Sequence, residues 1–317
     1  MTSLRLGTRG SALALAQAHL IAQRVRQATG RGVELVEIVT SGDRSSAPVQ
    51  RLGVGVFVSA LRDALIAKEI DFAVHSYKDL PTAPAEELVI AAVPAREDPR
   101  DALVARDGLT LAQLPAGARI GTGALRRMAQ LSALGLPVEV VAIRGNVDTR
   151  LGKVASGELD AVVLARAGLA RLGRAGEITE ILDPALMLPA PAQGALAVEC
   201  RADDPELVEA LAALDDPHSR AAVTAERTLL ATLEAGCSAP VGGLATVSGG
   251  APGTRNGADS AEIHLRGAVL SADGRVALRL SRTGTLTDAA TVGRQLAEDL
   301  LGAGAGTVLG VKDDPHP

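Results

Sequence analysis

Lys78 and Asp79 are adjacent in H-S-Y-K-D-L-P (His75–Pro81), where an apolar run gives way to a loop closed by proline. An aspartate beside cations stays ionised. Asp79 is therefore suited to steadying a developing cation or relaying a proton. The same residues also read as an ordinary polar turn in which Asp79 satisfies backbone donors. A second group is built from arginine. Arg9 lies in G-T-R-G-S, Arg126 and Arg127 in G-T-G-A-L-R-R, and Arg144 and Arg150 in I-R-G-N-V-D-T-R-L. Each stretch follows a strand-like run, and Gly7, Gly121 and Gly145 would let backbone approach a ligand. Guanidinium forks grip carboxylates bidentately, so a converging set suits a polycarboxylate. Taken singly, each arginine reads as an ordinary solvated side chain. The third group is G-C-S-A-P, Gly236–Pro240. For Cys237 two readings stay open, an accessible thiol that acts as nucleophile or anchor and a small half-buried side chain. Cys200 ends the run Leu196–Cys200 and reads as core.

Elements must position these groups. Apolar runs predict strands at Leu4–Gly7, Val33–Thr40, Ile70–His75, Leu88–Val93, Val138–Ile143, Asp160–Ala165 and Ala195–Cys200, with another near Arg119–Gly121. Helical spacing between them includes a segment that starts at Ser11, an N-cap residue type, and one from about Val58 to Lys68. This alternation predicts parallel or mixed sheets with helices on both faces. Breaks at Pro94–Arg100 and Leu188–Gln193 read as two crossovers between two α/β lobes, with a ligand cleft expected between them. The lobes are 1–94 with 195–215, and 100–188. From 219 to 317 the pattern changes to a small α+β domain. It has a helix over about Ser219–Glu234 capped at Gly236, then three antiparallel strands near Leu244–Val247, Glu262–Leu270 and Arg275–Arg282. Ser248–Ser260 is read as a hairpin loop and Asp313–Pro317 as a loose tail.

Composition removes several function classes. With no Trp, one Tyr and two Phe, the chain lacks stacking platforms for nucleic acid, and a net charge of −5 argues against a basic phosphate-tracking surface. Four of the 32 cationic residues are lysines (Lys68, Lys78, Lys153 and Lys312), which leaves 28 arginines. His19, His75, His218, His264 and His316 are scattered and no C-x-x-C occurs, so no metal is expected. No apolar signal or membrane segment is expected at the start of the chain, which makes a cytoplasmic location the default.

Seven stretches occur in a fixed order: G-T-R-G-S-A-L-A-L-A-Q-A (Gly7–Ala18), A-V-H-S-Y-K-D-L-P (Ala73–Pro81), G-T-G-A-L-R-R (Gly121–Arg127), I-R-G-N-V-D-T-R-L (Ile143–Leu151), A-G-L-A-R-L (Ala167–Leu172), A-Q-G-A-L-A-V-E-C-R (Ala192–Arg201) and G-C-S-A-P. Together they resemble the porphobilinogen deaminase family from about Leu4 to Val241. The resemblance implies two periplasmic-binding-protein-like lobes and a third domain carrying a dipyrromethane cofactor, joined by a thioether that falls on Cys237. It implies stepwise addition of four porphobilinogen units with loss of ammonia, then hydrolysis to hydroxymethylbilane, in a monomer. The catalytic aspartate falls on Asp79, where it would contact pyrrole N–H groups and stabilise the cation formed as ammonia leaves. Binding residues fall on Arg9, Ser11, Lys78, Thr122, Arg126, Arg127, Arg144, Arg150 and Arg171. Gly123 and Ala124 stand where many relatives have serines, and the Gln50–Phe57 loop is one residue short of a common pattern. A non-catalytic two-lobe solute-binding protein is the alternative; it would leave Cys237 and the third domain without a purpose.

Overall fold

The computed structural model describes residues 3–39, 58–236, 239–249 and 261–310. The chain divides into two units, Met1–Glu97 with Gly194–Arg220, and Asp98–Gln193 with Ala221–Pro317.

The first unit is built on one mixed sheet. β1 (Leu4–Thr8), β2 (Val33–Glu37), β3 (Phe72–Ser76), β4 (Leu88–Ala92) and β10 (Leu196–Arg201) lie in the order β2-β1-β3-β10-β4. β2, β1 and β3 are parallel, and β10 runs antiparallel to both β3 and β4. β10 is buried at every position, as a central strand covered on both faces must be. The helix α1 (Ala12–Thr29) starts at Ser11, whose Oγ accepts the Ala14 N–H at 3.4 Å, and stops at Gly30 in the left-handed region (φ 67°). Its buried stripe, Gln17, Ala18, Ile21, Ala22 and Val25, packs on Leu4, Leu6, Phe72 and Val198. α2 (Ser59–Ile66) adds Leu61 and Leu65 against Ile70 and Ala73.

The second unit repeats that plan. β5 (Asp101–Ala105), β6 (Arg119–Thr122), β7 (Glu139–Ala142), β8 (Ala161–Ala165) and β9 (Glu180–Ile181) lie in the order β7-β6-β8-β5-β9. β7, β6 and β8 are parallel, and β5 is antiparallel to β8 and β9. Counted without the antiparallel strand, both sheets therefore have the strand order second, first, third, antiparallel, fourth. The antiparallel strand comes last along the chain in the first unit and first in the second. α3 (Leu125–Ala133), α4 (Val147–Ala155) and α5 (Arg166–Arg171) follow β6, β7 and β8 respectively. The first unit closes with α6 (Pro205–Ala212), and α7 (Pro217–Thr232) leads into the C-terminal part.

There a three-stranded antiparallel sheet, β11 (Val241–Ser248), β12 (Glu262–Leu270) and β13 (Ala277–Thr285), carries α8 (Ala289–Gly302) and a short α9 (Ala305–Leu309). Leu229 of α7 and Leu233 just after it meet Ile263, Leu265, Leu296 and Leu300 in its core. Leu244, Ala268 and Leu270 also pack against Ala129 of α3 and Leu188. The C-terminal sheet thus shares the second unit with the arginine-bearing sheet.

Several expectations need correction. β5 and β9 are absent from the strand expectations, because the run R-E-D-P-R-D masks the start of β5. α7 ends at Thr232 rather than Glu234, and the residue in the left-handed region is Glu234 (φ 50°), not Gly236. Gly7 and Gly121 do not serve ligand approach: a Cβ on Gly7 would meet Ile70 Cδ1 at 2.2 Å, and one on Gly121 would meet Leu159 Cδ1 at 2.5 Å. Both glycines make room for core side chains. Gly145, at φ 111°, meets a backbone requirement instead. Cys237, the Gln50–Phe57 loop, most of Ser248–Ser260 and the tail lie outside the described residues.

Candidate active site

In the first unit, β1 and β3 are adjacent and parallel, so their carboxyl ends open on one edge. Arg9 and Ser11 follow β1; Lys78 and Asp79 follow β3. The Ser11 side chain is spent on capping α1, which fixes where that turn sits. Gln17, buried on α1, donates from Nε2 to Ser76 Oγ at 2.9 Å and ties the helix to the end of β3. Tyr77–Asp79 form one 3-10 turn, closed by Leu80 N–H donating to the Tyr77 carbonyl. Leu80 is buried with Val58 and Ala197. The turn is thus anchored immediately after Asp79, while Asp79 itself is exposed and Arg9 and Lys78 are half-buried.

A buried charge cluster lies in the strands behind this turn. Glu199 of β10 accepts from Arg62 of α2 at Nε (3.1 Å) and Nη2 (2.8 Å). His75 Nε2 lies 3.1 Å from Glu199 Oε2. Burial pushes the Glu199 carboxyl up, but His75 and Arg62 outweigh it and hold the group below the usual carboxylate range. No periodic signal marks this cluster in the sequence beyond a glutamate inside the apolar run of β10.

In the second unit, β6, β7 and β8 are parallel neighbours, and everything predicted from the arginine motifs lies at or just beyond their carboxyl ends. Thr122 ends β6 and is fully buried, its Oγ1 accepting the Ala124 N–H at 3.4 Å. Arg126 and Arg127 lie in the first turn of α3. Arg144 follows β7 and is exposed, Arg150 is on α4, and Arg171 ends α5 half-buried. Asn146 caps α4, its Oδ1 accepting the Thr149 N–H at 2.8 Å, and so sets where Arg150 falls.

Arg126 and Arg127 differ from the expected open forks. Both are almost wholly buried, and both turn to Asp101, the first residue of β5. Arg127 donates to Asp101 Oδ1 from Nε (3.0 Å) and Nη2 (2.8 Å), and to the Val163 carbonyl from Nη1 (3.0 Å). Arg126 Nη2 lies 2.8 Å from Asp101 Oδ2, and its Nη1 donates to the Leu188 carbonyl. Gln193 Nε2 adds a bond to Asp101 Oδ1 at 2.8 Å. Burial alone would raise the Asp101 carboxyl, but the two guanidinium groups and the Gln193 bond hold it at about 2. Asp101 and Gln193 were not singled out from sequence. The available signal was an acid heading the wholly buried run D-A-L-V-A.

Arg150 is the contrast. Its Nε is buried with no hydrogen-bond partner among the described residues. Burial lowers its pKa, and the like charges of Arg127 and Arg144 lower it further. Gly123 lies beside it: a Cβ there would stand 3.5 Å from Arg150 Nη2 and 2.6 Å from the Ile143 carbonyl oxygen. An unsatisfied buried guanidinium donor among like charges fits a ligand carboxylate. A dipyrromethane bearing acetate and propionate arms meets that requirement. Cys200 is a poor rival for an anchoring thiol, since it is buried, and that burial pushes its pKa up to about 11. Among the described residues no cluster of His, Cys, Asp and Glu has metal-site geometry.

Comparison with known proteins supplies the remaining link. Residues 4–209 match the family model described as porphobilinogen deaminase, dipyrromethane cofactor binding domain, and residues 220–302 match its C-terminal domain. The chain is 60% identical over 308 residues to a porphobilinogen deaminase of Nocardia farcinica, covering 97% of this chain and 88% of that one. It is 57% identical over 325 residues to porphobilinogen deaminase 1 of Streptomyces avermitilis, covering 98% of each. Among solved structures, a periplasmic substrate-binding protein of an ABC transporter from Coxiella burnetii overlaps 68% of this chain and 94% of its own, at 14% identity and a TM-score of 0.42. With the fixed order of motifs, two family models in succession and relatives matched over nearly their whole length, the chain belongs to the porphobilinogen deaminase family.

Proposed function

We propose that the protein is a hydroxymethylbilane synthase. It joins four porphobilinogen units with release of ammonia and then frees the linear tetrapyrrole by hydrolysis. The observation that carries the binding half of this reading is the buried, partnerless Nε of Arg150 on a cation-rich sheet edge. A polycarboxylate substrate and a polycarboxylate cofactor answer that edge, whereas a neutral solute does not. The non-catalytic solute-binding alternative receives no support, because the family is one of enzymes, specifically transferases.

A dipyrromethane, which Cys237 would hold, would supply the free pyrrole position for the first unit, and each later unit would join the end of the chain so begun. This chain's residues do the rest. Asp79, exposed beyond β3, accepts pyrrole N–H groups and stabilises positive charge as ammonia departs. A carboxylate positioned for that charge contributes a few kcal/mol, roughly 10²–10³ in rate. Arg150, Arg144, Arg171 and Arg9 hold the carboxylates of cofactor and substrate, with Lys78 beside Asp79. Ser11 and Thr122 shape the turns that carry these groups, through their bonds to Ala14 and Ala124. Arg126 and Arg127 lie on the same edge, in contact with Asp101. Covalent anchoring makes each addition effectively intramolecular and retains the growing chain. The proposal includes a cytoplasmic, monomeric enzyme; among the described residues no helix is long and apolar enough to cross a membrane.

The test is incubation of the purified protein with porphobilinogen, with ammonia and linear tetrapyrrole measured together. The expected outcome is four ammonia per tetrapyrrole. Binding without ammonia release would favour the solute-binding alternative.

A further inference from the structure

We propose that Arg174 is a positioning residue for carboxylate binding in the second unit. It joins Asp148, at the start of α4, to the turn that ends α5. In doing so it fixes the spacing of Arg150 and Arg171, the binding residues those two helices carry. The inference rests on the functional reading above for the identity of the ligand, and on geometry for everything else.

Arg174 lies outside the ordered motifs, just beyond A-G-L-A-R-L (Ala167–Leu172). Its backbone is set by the way α5 stops. Gly173 is left-handed (φ 70°) and donates to the Ala170 carbonyl at 3.0 Å, while the Arg174 N–H donates to the Leu169 carbonyl at 2.8 Å. This pair of bonds is a Schellman closure, so Arg174 stands at a fixed place shortly after Arg171. Its side chain is fixed as well. Glu177, from the following turn, accepts from Nε and, at 3.0 Å, from Nη2. That grip leaves Nη1 to reach α4, where it donates to Asp148 Oδ1 at 2.5 Å. All three nitrogens are engaged, and the fork spans two carboxylates from different elements.

Asp148 lies in the first turn of α4, two residues before Arg150. Behind it the two helices share one apolar cluster, with Leu151 of α4 and Leu169 of α5 buried in it and Val147 and Ile178 at its margin. Burial of this kind is non-directional. It holds the helices together without fixing how far one slides along the other. The Arg174–Asp148 bond is directional, and it sits at the end of α4 that follows the carboxyl end of β7. An isolated exposed ion pair does little, but a fork held bidentately by one carboxylate and bonded to a second is the arrangement in which such a pair counts. A ligand that must meet both Arg150 and Arg171 binds at lower cost when their spacing is set beforehand. Losing the bridge should therefore weaken ligand binding more than it weakens the fold.

The experiment compares the wild type with Arg174→Gln, Asp148→Asn and the double variant, by steady-state kinetics and by amide exchange at Thr149 and Arg150. Each single variant is expected to raise KM for porphobilinogen about fivefold with kcat unchanged, the upper range for an exposed pair. The double variant is expected to do no more than either single one, because the same bridge is lost in all three. Exchange at the two amides should quicken by about fivefold as the first turn of α4 loosens. The melting temperature should fall by about 2 °C or less. Quickened exchange with an unchanged KM would overturn the proposal and leave the pair a purely structural bridge. A KM that falls in Asp148→Asn would contradict it as well, since a released Arg174 would then be meeting the substrate itself. Effects that multiply in the double variant would show two residues acting separately. Exchange unchanged in both single variants would remove the positioning role whatever the kinetics. Failure of the wild type to release ammonia would instead defeat the functional reading, and the exchange comparison does not depend on it.

Discussion

The two units have the same strand order but use the same position of their sheets in different ways. Each inserts one antiparallel strand beside the third parallel strand, and each buries an acid on that strand. In the first unit the acid, Glu199, sits inside the sheet with Arg62 and His75, and the carboxyl edge beyond it presents an exposed carboxylate, Asp79. In the second unit the acid, Asp101, sits at the edge, and what remains there is positive. Moving one buried carboxylate along an antiparallel strand thus separates an edge suited to stabilising a cation from one suited to holding anions. The difference predicts that substitution of Asp79 in the first unit lowers kcat and substitution of Arg150 in the second raises KM.

The largest expected effect is in the first unit. Asp79→Asn should lower kcat about 10³-fold with KM within a few-fold and the melting temperature unchanged, since the residue is exposed. Steady-state kinetics together with calorimetry check both halves. A variant impaired only in KM would erase the division of labour. The counterpart is Arg150→Gln, for which KM should rise about 10-fold to 30-fold with kcat nearly preserved. Stability should hold or increase, because the half-buried wild-type side chain carries a buried Nε donor that is unmet among the described residues. A loss of several kcal/mol in chemical denaturation would mean that Arg150 has a structural partner after all.

Acid denaturation sharpens the comparison of the two buried acids. The folded pKa of Asp101, about 2, lies below the unfolded value of about 3.9. Its contribution, on the order of 2–3 kcal/mol, is fully present above about pH 5 and is lost as pH falls through 4 and on past about 2. Glu199 is depressed as well, so its contribution disappears in the same direction. Urea unfolding at a series of pH values, with Asp101→Asn and Glu199→Gln as references, should show each variant's deficit shrinking in acid. A deficit that grew as pH fell would reverse the sign. A smaller effect is expected at Gly123. Gly123→Ser must move a Cβ away from a carbonyl oxygen 2.6 Å distant, costing about 1–3 kcal/mol and disturbing Arg150 beside it. A fully stable Gly123→Ser with unchanged KM would show that the turn yields freely.

Most of the parallel framework was legible in the sequence because its signals are local. Apolar runs mark β1, β3, β4 and β8; Ser11 marks the start of α1; and the arginine motifs do follow strand ends. What was not legible depends on pairing across the chain. Asp101 adjoins the charged break Pro94–Arg100 and was passed over because its partners lie 25 and 26 residues away on α3, and the strand it heads was missed with it. Glu199 meets Arg62 across 137 residues, a separation that no periodicity encodes. Arg126 and Arg127 were read as open forks for the same reason. Spacing located them at a strand end, but only the buried acid explains where their donors go.

The most direct test concerns Cys237, on which the proposed chemistry is anchored. Intact-mass spectrometry of the purified active protein should show the sequence mass plus two condensed pyrrole units. The addition should be lost in Cys237→Ser and kept in Cys200→Ser. An active protein at its unmodified mass, or an adduct that follows Cys200 instead, would contradict the account.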